Sequence, residues 1–439
     1  MNRPSAPGRR CADGRDTNRR LSDPGFLIAV CLLNILLRLP LLALDVVPTS
    51  DFEWYFDAAR SIAAGEGFAD KGVLTAFWPV GWPGFLGGLL RLFGPHVWVG
   101  QSANLVLSTC VICLMRSAGK RLFPGSPFWR LGILLIAVFP NQIAYVPLMS
   151  VEVFFECLLL LGFVLMMSRS GRILAVSGLV FGVAALTKTQ ALFVPAVLGL
   201  PLLAGGLGRW VRTVVLTGVT MVAVILPWTV RNYTVFHTFI PVSTNGGYTL
   251  LTGNNPSAQG RYTWDDPLVA DLSKAPEDQV AMDRVAQGRA WGWIKANPAD
   301  FVRLIPLKIW RLWSGDGEAE WLYQSGYAGY EAHAWMFRAV RLVNQVFYWL
   351  LLGLAVASVP GMWRQRKSLP VWCWSGWMVM GYFTVISAVF SGQSRFHFAL
   401  MPFVALYAAW WVTERLGGGN SGAIAPGQEA AITRQGRPN

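Results

Sequence analysis

The sequence predicts an all-α, polytopic membrane protein with about ten transmembrane helices, amphipathic juxtamembrane helices and one larger outer loop segment. Three observations carry this. Hydrophobic residues make up 54% of the 439-residue chain and charged residues only 14%, where a soluble domain carries about 25%. Tryptophan is abundant at 21 residues, as suits an amphipathic ring that sits at headgroup level. Apolar runs near the roughly 20 residues a span needs recur at 25–44, 97–115, 131–148, 152–168, 173–187, 190–207, 211–228, 338–360, 371–391 and 396–414. The first run is long, contains Arg38 and is followed by no small-residue cleavage site, so it reads as a span and not as a removed signal peptide.

Orientation follows from where the short loops keep their cations. Arg116, Lys120, Arg121 and Arg130 follow the second run. Arg169 with Arg172, Arg209 with Arg212, and Arg364, Arg366 and Lys367 mark later loops, and six arginines lie in the first twenty residues. Ten alternating spans with both termini in the cytoplasm put every one of these clusters on the cytoplasmic side. This distribution also accounts for the net charge of +13 without nucleic acid, because the cations lie between apolar runs and not along one face.

The expected organisation is a disordered basic tail at 1–24, a transmembrane core at 25–228 that includes a first outer loop at 45–96, an outer segment at 229–337, C-terminal transmembrane helices at 338–415 and a disordered tail at 416–439. Five cysteines lie in apolar runs and Cys11 in the first tail, so no structural disulfide is expected. Cys110 and Cys113 have a metal-like spacing, but no second pair follows, and small residues on a helix face are the simpler account.

The first outer loop opens with Thr49-Ser50-Asp51, a helix N-terminus, and Ala58, Ala59, Ile62 and Ala63 continue at helical spacing until Gly65 and Gly67 break it. A second amphipathic piece runs from Trp78 to Phe93. Both are too short to span and are expected along the outer membrane face. Asp51 stands at the membrane mouth, where a carboxylate can take a proton from an attacking hydroxyl or cap the helix.

Residues 51–67, "DFEWYFDAARSIAAGEG", followed by "FWPVGWPGFLGGLLRLFG", resemble the first periplasmic loop of bacterial GT-C glycosyltransferases, in the group related to protein O-mannosyltransferases and aminoarabinose–lipid A transferases. The resemblance implies a GT-C fold, an inverting transfer from a lipid-phosphate sugar, and Asp51 as the general base. Tyr55, in the same motif, is included as a substrate contact. "YVPLMSVEVFFECLLLL" resembles the second outer loop of that family, which makes Glu152 the second acidic site residue. Read on its own, Glu152 suits the first turn of a helix, with Ser150 as cap; a carboxylate at membrane depth is also a functional candidate. Glu156 lies one turn deeper on the same face.

A lipid phosphate needs cations at the outer interface, and arginine can serve it bidentately. Three places offer them: Lys188 in "GVAALTKTQALFVP", Arg231 in "LPWTVRNYTVFHTFIPVSTNGGYTLLTGNNPSAQG", and Arg395 with His397 in "SGQSRFHFALMPF". All three stretches resemble the same family. Each cation can instead snorkel to headgroups, and Arg231 can orient the loop. Arg38 is expected to snorkel outward.

In the outer segment, 277–297 reads as an amphipathic helix and 301–313 as an interfacial one. By analogy the segment carries acceptor specificity.

The resemblance thus implies a glycosyltransferase of the bacterial inner membrane with its site facing the periplasm. It would use a polyprenyl-phosphate-linked sugar and a protein, lipid or glycan acceptor. No cofactor is assigned. A divalent metal is an unsupported alternative, since a lone Glu stands where some relatives have an acidic pair. The other reading is a transporter or flippase of lipid-linked sugars or polysaccharides. That reading expects charges near the bilayer midplane and repeated halves, whereas these charges gather at the outer ends of spans. A non-catalytic carrier-binding relative is a third.

Overall fold

The computed structural model describes residues 22–273 and 278–416. Of the two expected tails, 1–21, with Cys11, and 417–439 lie outside the described residues, whereas Asp23 and Pro24 already belong to the first helix, capped by Ser22. The described residues are mostly helical, and among them five helices are long and apolar enough to cross a membrane: Asp23–Leu42, Val97–Leu122, Leu207–Phe236, Glu331–Arg364 and Ser394–Leu416. The other five predicted runs fall on shorter helical pieces, among them Glu152–Met166, Gly171–Thr187 and Thr189–Gly205.

Helices that pack most closely do so through small residues. Gly171–Thr187 runs against Leu207–Phe236, where a side chain at Gly178 would collide with the backbone of Thr217 and one at Gly182 with Val224. Close approach of this kind is how apolar helices associate where no hydrophobic gain separates helix from lipid. Thr220 Oγ1 donates across the same seam to the Ala175 carbonyl at 2.8 Å. The Ser394–Leu416 segment is the central post, with 78% of its most apolar window buried against 17–39% for the other four. Its residues from Met401 to Trp410 are buried on every side, as expected of a helix apolar all round.

The third predicted run, 131–148, is broken. Its helix ends at Ala137, and a short one, Pro140–Ala144, follows. Pro140 has no N–H to donate, and the neighbouring backbone groups find side-chain partners. The Asn141 amide donates to Asn344 Oδ1 at 2.9 Å, and the Ala137 carbonyl that it would otherwise meet accepts from Arg38 Nη1 at 3.0 Å. Arg38 is 1% exposed. It therefore does not snorkel outward as expected; it is recruited inward by a carbonyl that the proline break leaves open.

The first loop contains the two expected helices, Asp51–Ala64 and Gly81–Phe93. They pack so closely that a side chain at Gly87 would meet Ala59 O and Ile62 at 2.9 Å. Between them lies an antiparallel ribbon, Ala69–Asp70 with Val73–Leu74, that departs from the all-α expectation. Lys71 and Gly72 both have positive φ, 48° and 83°, which is the geometry of a tight two-residue hairpin turn. Strands of two residues are too short to show alternation in sequence.

The Leu207–Phe236 helix continues eight residues beyond the run predicted to end at 228, so Arg231 lies on a helix and not in a loop. Beyond it, the predicted amphipathic and interfacial helices are Gln279–Ala296 and Pro298–Trp313. Asp278 caps the first by accepting from the Val280 and Ala281 amides. Gln279 Oε1 accepts from Thr75 Oγ1 and the Ala76 amide at 3.0 and 2.9 Å, which docks this segment onto the first loop.

Candidate active site

Asp51 is the first residue of its helix and does not cap it. Ser50 takes the N-cap position, at φ 56° and ψ −132°, and makes no side-chain cap bond. That region is almost closed to residues with a Cβ. The chain just before Asp51 is tethered: Val47 N donates to Gly326 O at 2.9 Å, and the Thr49 and Ser325 hydroxyls pair at 2.9 Å. So held, Asp51 Oδ2 accepts from Arg395 Nη2 at 3.0 Å.

Glu152 begins the Glu152–Met166 helix and is 1% exposed. Ser150, expected to cap this helix, does not: its buried hydroxyl has no hydrogen-bond partner, and Val151 occupies the N-cap position. The tight turn before Glu152 is pinned by side chains. Asn104 Nδ2 donates to Leu148 O at 2.7 Å, Gln101 Nε2 to Pro147 O at 3.2 Å and Trp82 Nε1 to Met149 O at 3.1 Å. Buried carbonyls in a turn that find no backbone donor are satisfied by side chains this way. Glu152 Oε1 accepts from Lys188 Nζ at 3.2 Å, while its Oε2 is buried without a partner. Lys188 follows the end of the Gly171–Thr187 helix, and its ammonium lies over the rings of Phe155 and Phe396 at 5.4 and 6.0 Å.

The two ion pairs form one cluster. The charges of Asp51 and Glu152 both act on Arg395, and Arg395 acts on Lys188. Tyr55, one turn after Asp51, belongs to it too. Burial, and then the neighbouring Asp51 carboxylate, push its hydroxyl well above the usual phenol range, so it stays a proton-bearing donor.

Sequence reasoning missed two members. Glu318 accepts from the Ser394 amide at 3.0 Å, which holds the start of the turn that carries Arg395, and its charge also acts on Lys188 and Arg395. Tyr262 packs against Tyr248, their ring centroids 6.2 Å apart, and its hydroxyl is raised by burial, by its hydrogen bond with Tyr248 and by Asp51. Neither carried a motif. Glu318 lies in no stretch that resembles the family, and Tyr262 lies just past the one that ends at Gly260.

Two predicted residues are not brought into the cluster. Arg231 donates from Nη1 to Thr75 O at 2.8 Å and from Nη2 to Phe68 O at 3.2 Å, gripping both ends of the ribbon. This is the loop-orienting alternative. His397 is fully buried, its ring stacked between Trp313 and Tyr348. Its Nδ1 meets Leu312 O at 2.6 Å and its Nε2 meets Asp316 Oδ1 at 3.3 Å, so both ring nitrogens are occupied by protein. Glu156, deeper in the bundle, accepts from Gln142 Nε2 at 2.7 Å. Among the described residues no group of three or more His, Cys, Asp or Glu side chains is gathered as a metal-ligand set.

The cluster therefore comprises three carboxylates, two of them paired with a cation, beside two phenols and under an aromatic wall. Such a site can take a proton from a hydroxyl and can hold a phosphate. The fold is of the GT-C type that the sequence resemblance implies. The chain superposes on the archaeal oligosaccharyltransferase AglB from Archaeoglobus fulgidus, solved with an inhibitory peptide and a dolichol-phosphate, with a TM-score of 0.54 and 13% identity, over 94% of this chain and 52% of that one. A second structure of an oligosaccharyltransferase from that organism, tethered to an acceptor peptide, gives a TM-score of 0.52 and 12% identity over 89% and 49%. ArnT from Cupriavidus metallidurans, bound to undecaprenyl phosphate, gives 0.44 and 15% over 90% and 79%. The chain spans about half the length of the two oligosaccharyltransferases. No protein-family profile and no curated protein matches its sequence.

Proposed function

We propose that this chain is a multi-pass membrane glycosyltransferase that moves a sugar from a polyprenyl-phosphate carrier to an acceptor hydroxyl, with Asp51 as general base. The observation that carries the reading is the pairing of Asp51 with Arg395 beside Glu152 with Lys188. At rest the two acids and two cations neutralise each other. An incoming lipid phosphate competes with the carboxylates for Arg395 and Lys188, and Arg395 still has N–H groups to offer beyond the one on Asp51. Engaging the phosphate loosens the hold on Asp51 and leaves a carboxylate able to accept a proton.

The acceptor oxygen attacks the anomeric carbon from the face opposite the phosphate. The bond from that carbon to the acceptor forms as its bond to the phosphate oxygen breaks, with inversion. The acceptor's proton passes to Asp51, and the leaving phosphate's added negative charge is met by Arg395 and Lys188. Glu152 holds Lys188 in place, and the Tyr55 hydroxyl donates a hydrogen bond to substrate. The dolichol-phosphate present in the compared oligosaccharyltransferase is of the carrier class this reading requires. The site would face the periplasm.

The test is donor consumption. Purified wild type and Asp51→Asn are incubated with a panel of polyprenyl-phosphate sugars and a membrane extract as acceptor source, and free polyprenyl phosphate is measured by mass spectrometry. Release by wild type alone is expected. Equal release by both proteins removes Asp51 from the mechanism, and silence across all donors and whole-cell lipid and glycan acceptors removes the enzyme reading.

A further inference from the structure

A second charged feature lies at the far end of the bundle. The Gly171–Thr187 helix has 17 residues, so its start lies about 25 Å from Lys188. At that start is an open cavity of about 1000 Å³. Five cations line it, Lys120, Arg121, Arg169, Arg209 and Arg212, and no acidic side chain does. Arg121 donates to Val164 O, and Lys120 pairs with Asp23. Among the described residues, Arg169, Arg209 and Arg212 make no hydrogen bond or ion pair to the protein, and Arg121 meets only a neutral carbonyl, so four of the five charges have no acidic partner.

The backbone adds to the same sign. Two helices, Gly171–Thr187 and Leu207–Phe236, begin at the cavity wall, and neither has a side-chain cap. Uncapped first-turn N–H groups point outward from a helix start and favour an anion. The wall is also partly apolar, with Met166, Leu202 and Trp372 among the lining residues. Loop cations that only marked orientation would be spread in solvent. Here they surround one cavity, shared with two helix starts and an apolar wall.

We infer that this cavity binds the phosphate-bearing headgroup of an anionic membrane lipid, with the apolar wall against the start of its chains. Basic pockets between membrane helices recognise such headgroups through charge and N–H donors together. The site is distinct from the Asp51 cluster and does not depend on the proposed reaction.

The test uses the full-length protein in neutral detergent, read by native mass spectrometry with added phosphatidylglycerol, phosphatidylcholine or inorganic phosphate. Wild type should retain phosphatidylglycerol in preference to phosphatidylcholine. The triple variant Arg169→Gln/Arg209→Gln/Arg212→Gln should lose at least about tenfold of that retention. The variant Arg60→Gln/Arg303→Gln removes exposed cations elsewhere and should retain lipid as wild type does. Equal retention by wild type and the triple variant overturns the site, as does equal loss in both variants. Binding of inorganic phosphate without retention of phosphatidylglycerol overturns the lipid as its source. The three arginines are exposed, so the triple variant should unfold at the wild-type temperature; if it does not fold, Arg212→Gln alone carries the comparison.

Discussion

Arg395 Nη2 lies 3.0 Å from Asp51 Oδ2, joining residues 344 positions apart in sequence. The pair ties the entry of the central post to the first helix outside the bundle. In the proposed reaction Arg395 has two roles, to hold Asp51 before the donor arrives and to hold phosphate afterwards. Arg395→Gln should lower kcat/KM by about 100-fold or more, the scale of losing a charged donor to a developing anion. Combining it with Asp51→Asn should cost far less than the product of the two single losses, because paired groups act as a unit. Multiplying losses in a steady-state assay would mean that the residues act separately.

Glu152 and Lys188 form the more buried pair, with side-chain exposures of 2% and 16%. Removing one partner strands the other charge. Lys188→Met should destabilise the protein by about 3 kcal/mol, and Glu152→Gln/Lys188→Met should recover part of that loss while staying inactive. Thermal unfolding and donor turnover, measured on the same preparations, separate the two effects. A double variant no more stable than Lys188→Met would show that the pair contributes nothing as a pair.

Ser50 holds a backbone conformation suited to glycine. Ser50→Gly should stabilise the protein by about 1 kcal/mol and leave turnover near wild type, since the Ser50 side chain caps nothing. A fall in unfolding temperature would mean that the hydroxyl has a role the geometry does not reveal.

His397 has both ring nitrogens on protein acceptors and an aromatic ring on each face. His397→Ala should therefore cost about 3 kcal/mol of stability through the cavity and the donor lost to Asp316, which keeps Asn141 and Asn344, with donor KM in the folded fraction changed by less than about twofold. A selective rise in KM with stability intact would return His397 to the phosphate site.

Lys308 is buried on the Pro298–Trp313 helix, donating to Asn254 Oδ1 at 2.7 Å and Val389 O at 3.1 Å. Burial pulls its ammonium down to about 8. Between there and the unfolded lysine value near 10.4, the unfolded chain binds more protons than the folded one, so stability rises with pH across that window and is flat below it from this group. Lys308→Met should flatten the rise in unfolding temperature between pH 8 and about 10.4; an unchanged slope would assign it to another group.

Helix positions were legible because apolar runs of membrane length admit few other structures, and Asp51, Glu152, Lys188 and Arg395 stood out as charges at the ends of such runs. The ribbon at 69–74 was not legible, since two-residue strands have no period to read. The inward turn of Arg38 was hidden because it answers a carbonyl opened by Pro140, on a different helix. Glu318 and Tyr262 carry no local signal; they are defined by what folds back over them.

The sequence by itself determined the class of fold, the order of the helices and which charged residues stand at their ends, because hydropathy and helix period are local properties that a single strand of text records. Only the tertiary structure decided which charges meet. Asp51 finds Arg395 and Glu152 finds Lys188, while Arg231 grips a ribbon and His397 is buried between two rings. Those outcomes depend on helix packing angles, on the proline break and on turns pinned by distant side chains, all of which are set by contacts between residues far apart in the chain.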